Sequence, residues 1–127
     1  MDDECWQRIL ARMPEVEEAA GPPLAVAFIG SEAYAAKRGQ AWLWWPGSRA
    51  RAAGPVAFDG RYPDDWGLLL VMNDTAVEKV GAGGTAVMAH HARLLDIKAF
   101  VLRQRDELDG GGVLEFIEDL ELATPKH

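Results

Sequence analysis

Cysteine is almost missing from this chain: Cys5 stands alone, so no intrachain disulfide can form. Long apolar runs are missing as well. Leu24–Ile29 and Leu68–Met72 are short, far below the roughly 20 apolar residues that span a membrane, so no membrane partner is expected. The first ten residues, MDDECWQRIL, have neither a basic stretch nor an apolar one, and no signal peptide is expected. Metal-ligand spacings such as HxxxH, HExxH and CxxC do not occur, nor does a GxSxG elbow. No metal site, no catalytic residue and no cofactor is expected, and the reading leans away from an enzyme. Acid is absent from Ala33 through Phe58, a stretch that carries Lys37, Arg38, Arg49 and Arg51.

What is present describes a folded protein. The 127 residues are 49% hydrophobic and 26% charged, which suits one globular domain over residues 1–127, and a cytoplasmic location is the default. The formal net charge of −7 repels nucleic acid and anionic membranes from the molecule as a whole. The charge is unevenly spread. Asp2, Asp3, Glu4, Glu15, Glu17 and Glu18 face only Arg8 and Arg12 among residues 1–20, and the end from Asp106 onward carries acids against Lys126 alone. Acidic ends bracket a locally basic middle. Solvated helix faces and internal pairing are the plain explanation of such runs.

Periodicity predicts a helix over residues 2–19, with Trp6, Ile9, Leu10, Met13 and Val16 on one stripe and a break at Pro14. Leu24–Ile29 reads as a strand buried on both faces. A helix follows over Ser31–Arg38, closed by Gly39. Ala41–Trp45 is a strand whose alternation puts Trp42 and Trp44 on one face and Leu43 and Trp45 on the other. Ser48–Gly54 is an exposed loop, Val56–Phe58 a short strand and Leu68–Met72 a central one. Asn73-Asp74 caps a short helix over Thr75–Val80. Thr85–Leu95 is a helix and Ile97–Leu102 a strand. Asp106–Gly112 reads as loop, and Val113, Phe116, Ile117 and Leu120 favour a final helix over a strand, with Pro125 ending it. The expected fold is α+β, with mixed α/β possible: one sheet of four or five strands with helices packed on it.

Three groups of residues invite a chemical reading. Gly81, Gly83 and Gly84, in VGAGGTA, resemble the dinucleotide-binding fingerprint of Rossmann enzymes. That resemblance implies a nucleotide-binding enzyme or sensor, and it requires a strand over Val77–Val80 ahead of the glycines. The other reading is a turn whose glycines serve positive φ or close packing. His90-His91, with Cys5, Asp96 or His127, suggests a metal, but adjacent side chains diverge and make no chelate alone. Asp59, Asp64 and Asp65 sit among turn residues and read first as turn chemistry.

The third group is the aromatic one. Trp42, Trp44, Trp45, Tyr62 and Trp66, with Arg49 and Arg51, form the candidate binding surface. Aromatic and arginine side chains anchor protein interfaces, and the same rings can stack on a sugar or another small ligand. They can equally fill a core. The expectation is therefore an acidic accessory or regulatory protein that binds a protein partner or itself. An acidic inhibitor of a basic protein, as some immunity proteins are, belongs to this class.

Overall fold

The two most apolar stretches of the chain become the two central strands. In a computed structural model that describes residues 3–15 and 17–120, β1 (Ala25–Gly30) and β4 (Trp66–Met72) pair in parallel at the middle of one five-stranded sheet. β2 (Gly39–Trp44) runs antiparallel to β1, β3 (Gly54–Phe58) antiparallel to β2, and β5 (Ile97–Val101) antiparallel to β4. The order across the sheet is β3-β2-β1-β4-β5. A strand flanked on both sides and covered on both faces leaves no position for a charge, which is why both runs are uninterrupted. The expected α+β single sheet is what the chain forms.

Helices are α1 (Asp3–Ala11), α2 (Ser31–Ala36), α3 (Asp74–Gly83), α4 (Thr85–Arg93), α5 (Arg105–Gly110) and α6 (Leu114–Asp119). All except α2 lie on one face of the sheet. Their buried residues, among them Trp6, Ile9, Val77, Val80, Met88, Leu108 and Ile117, meet Val26, Phe28, Trp42, Trp44, Leu68 and Leu70 there. The second face holds Ala27, Ile29, Leu43, Trp45, Leu69 and Val71, with Ala33 and Tyr34 of α2 against them.

One irregularity decides where an aromatic ring goes. Ala25 pairs with Trp66 while Val26 pairs with Leu68, so Gly67 is an extra residue in β4. The bulge turns Trp66 onto the second face, opposite to Leu68 and Leu70. Gly67 also lies against Leu24 and Leu108, where an added Cβ would come within 3.1 and 3.2 Å.

Several boundaries shift from expectation. The first helix stops at Ala11, ahead of Pro14; Asp2 and Val16 lie outside the described residues. α2 is closed by Lys37, at φ 57°, and Gly39 already belongs to β2. Asp106–Gly112, expected as loop, forms α5 through Gly110 and docks Leu108 in the core. The final helix forms as α6; Pro125 and His127 fall outside the described residues.

Candidate functional site

The tryptophans are core residues. Trp42, Trp44, Trp45 and Trp66 are each at most 7% exposed. Each such ring removes on the order of 200 Å² from water. Trp42 and Trp44 lie on the helix-covered face and Trp45 with Leu43 on the other, as alternation requires. Trp66 stacks on Phe58 at 6.2 Å, and Tyr62 lies against both rings. Tyr62, 41% exposed, is the one aromatic of the group that offers much of its surface to solvent. Hydrogen bonding with Tyr34, then burial, then Tyr34's charge hold its phenol pKa above the ordinary value. The seven residues therefore do not share one surface.

Four of them do come together. Trp44, Trp45, Arg49 and Arg51 line an open cleft of about 510 Å³ with Glu15 and Ser48. The Arg51 guanidinium lies 4.4 Å over the Trp45 ring and reaches Asp65 at 3.4 Å. Arg49 donates its backbone N–H to Glu18 at 2.9 Å, fixing the loop to the segment before β1.

A second groove of about 300 Å³ adjoins the cleft and shares two of its lining residues, Glu15 and Trp44. Here the lining changes sign: Glu15, Glu17, Glu18, Asp109, Glu115 and Asp119 surround it, and among the described residues no basic side chain does. Its apolar floor includes Trp44 and Phe116, edge to face at 4.9 Å and 72°. The trough is thus bipolar, with arginines at one end, carboxylates at the other and Trp44 between them.

Glycines build this trough from three distant segments. The Ala19 N–H donates to the Gly47 carbonyl (2.8 Å), Gly21 N–H to Gly110 (2.7 Å) and Leu24 N–H to Gly111 (3.2 Å). Gly112, at φ 85°, touches Gly47 so closely that an added Cβ would lie 2.7 Å from its Cα. Backbones this close admit no side chain. Glu15, Glu17, Glu18, Asp109, Glu115 and Asp119 are visible in the sequence as parts of charge runs; their meeting around one groove is not.

The glycines of VGAGGTA sit elsewhere and in a different context. Val77–Val80, the strand that the dinucleotide fingerprint requires, is helical: Asn73 caps α3 by accepting from the Ala76 N–H at 2.9 Å, and α3 runs on through Gly83. Gly84, at φ 66°, joins α3 to α4. Arg12 of the α1 end donates to the Gly81 carbonyl at 3.3 Å and packs on Gly84, so the turn is filled by the protein's own side chain. The resemblance ends at the residue pattern.

Among the described residues no group of three or more His, Cys, Asp or Glu is arranged to hold a metal. His91 is buried and its Nδ1 lies 2.9 Å from Asp96, whose other oxygen accepts from Asn73 at 2.9 Å; His90 points outward. The bonds from His91 and then Asn73 hold the Asp96 carboxyl below its ordinary pKa, against a smaller opposing effect of burial. This network fastens the α4–β5 turn to the start of α3, and no residue spacing signals it. Asp59 accepts from the Arg61 N–H, Asp64 pairs with Arg103 and Asp65 with Arg51, as turn and ion-pair chemistry.

Fold and site together define an α+β protein with an open bipolar trough. No protein-family model matches the chain, and neither does any curated protein or solved structure. Among the described residues no helix is long and apolar enough to cross a membrane.

Proposed function

We propose that this protein is a cytoplasmic, non-enzymatic accessory protein that binds a basic segment of a protein partner along the trough between Arg51 and Asp119. One observation carries the reading: residues far apart in sequence, Glu15, Glu17 and Glu18 on one side and Asp109, Glu115 and Asp119 on the other, converge their carboxylates on a floor that includes the rings of Trp44 and Phe116. Lysine or arginine side chains lying there gain both charge pairing and contact with the aromatic floor. Arg49 and Arg51 at the other end favour an acidic residue of the partner, which fixes the direction of the bound segment. The net charge of −7 speeds encounter with a basic partner and repels nucleic acid. Trp44 and Trp45 contribute their accessible edges, while Trp42 and Trp66 serve the core.

Calorimetric titration with a short lysine- and arginine-rich peptide tests this. The expected Kd at low salt is on the order of 10–100 µM, weakening as salt screens the exposed carboxylates. Glu115→Lys with Asp119→Lys weakens it by about tenfold or more, and an acidic peptide of equal length does not bind. Equal binding of both peptides, or indifference to the double substitution, contradicts the reading.

A further inference from the structure

The two edges of the sheet are guarded differently. β3 carries Pro55, which has no N–H to offer an incoming strand, whereas β5 has no proline. Among the described residues, β5 has a strand on one side only. The backbone groups facing outward can be identified. Leu102 donates its N–H to Gly67 (2.9 Å) and the Asp96 carbonyl accepts from Asn73 (3.0 Å), so the even-numbered residues turn toward β4. By alternation the N–H and C=O groups of Ile97, Ala99 and Val101 face the open edge.

Exposed apolar side chains gather at this same edge. Of the four large hydrophobic residues exposed on the described surface, Leu94, Leu95 and Phe100 lie in or beside β5, and Tyr62 does not. Leu95 is 70% exposed and held at φ 63°, where glycine or asparagine is the usual occupant.

We propose that β5 pairs antiparallel with β5 of a second copy of this chain, about a two-fold axis through Ala99, joining the two sheets edge to edge. This register pairs Ile97 with Val101 and Ala99 with its own counterpart through the outward-facing backbone groups. It also sets Lys98 across from Phe100 of the second copy, on the second face of the sheet. The register that shifts the axis to Lys98 sets two lysines opposite one another and is disfavoured. Shifting it to Phe100 shortens the ladder. The pairing register is thus chosen by the strand's own residues, and a self-complementary patch of this kind is what an isologous dimer uses. The surface is separate from the trough, so either can fail without the other.

Sedimentation velocity on the full chain, from about 1 µM to about 1 mM, reads the result. A concentration-dependent monomer–dimer equilibrium is expected. Phe100→Lys places lysines opposite lysines and shifts the midpoint up by at least tenfold, with the far-UV spectrum unchanged. Adding Lys98→Glu to that variant creates cross-strand Glu–Lys pairs and restores the dimer. A wild-type chain that stays monomeric to about 1 mM overturns the proposal. So does a dimer that Phe100→Lys leaves intact, or one that the second substitution does not restore.

Discussion

Asp96 accepts hydrogen bonds from His91 and Asn73, and the loss of those bonds on unfolding links the fold to pH. Its carboxyl pKa is lowered in the fold. The contribution is therefore complete above the unfolded pKa of about 4 and is lost as pH falls through the lower folded value. Urea midpoints measured between about pH 2 and pH 6 should fall more steeply below about pH 4 for the wild type than for Asp96→Asn; parallel curves would remove Asp96 from the acid transition. The residues of this network are ordinary in sequence. Nothing about a histidine five positions before an aspartate indicates that a tight turn, with Leu95 at positive φ, will fold one back onto the other. The tryptophans present the opposite case. Alternation in AWLWW placed their faces correctly, yet exposure is set by the helices and loops that cover those faces, which a strand pattern does not contain.

The elements most legible in the sequence were those whose apolar pattern had one solution. β1 and β4 followed from uninterrupted apolar runs, and α3 from the Asn73 cap. α5 was hidden because Asp106–Gly112 ends in three glycines, and the single buried Leu108 gives no periodicity. The glycine turn is ambiguous in sequence for a related reason. A GxGxxA pattern specifies close approach without saying whether a strand or a helix precedes it, and here the approach is to Arg12. Element-scale energetics also bear on the trough. Glu115 and Asp119 stand four residues apart on α6, a like-charge pair that destabilises the helix. Asp119→Lys should raise thermal stability at low salt by about 0.3–0.5 kcal/mol or slightly more, measured by calorimetry. A fall in stability would mean that Asp119 is held by contacts in the fold. A gain in stability alongside weaker peptide binding marks a carboxylate kept for function at the expense of the fold.

At the scale of the whole molecule, the fold brings Glu15, Glu17 and Glu18 to the same end as Asp109, Glu115 and Asp119, and Gly47 and Gly112 press their segments together beside the loop that carries Arg49 and Arg51. The sequence displayed both charge runs and the basic middle. The contact between them depends on long-range topology, with residues 19, 47 and 111 converging only once β1 and β2 pair. The proposed function requires that this trough be a binding surface for basic protein segments. Chemical-shift mapping on the ¹⁵N-labelled chain with a lysine- and arginine-rich peptide tests it most directly. Perturbations are expected at the Trp44 indole and at residues 15–19, 48–51 and 109–119, abolished by Glu115→Lys with Asp119→Lys. Perturbations confined to β5 or spread evenly over the surface, or unchanged by the double substitution, would contradict it.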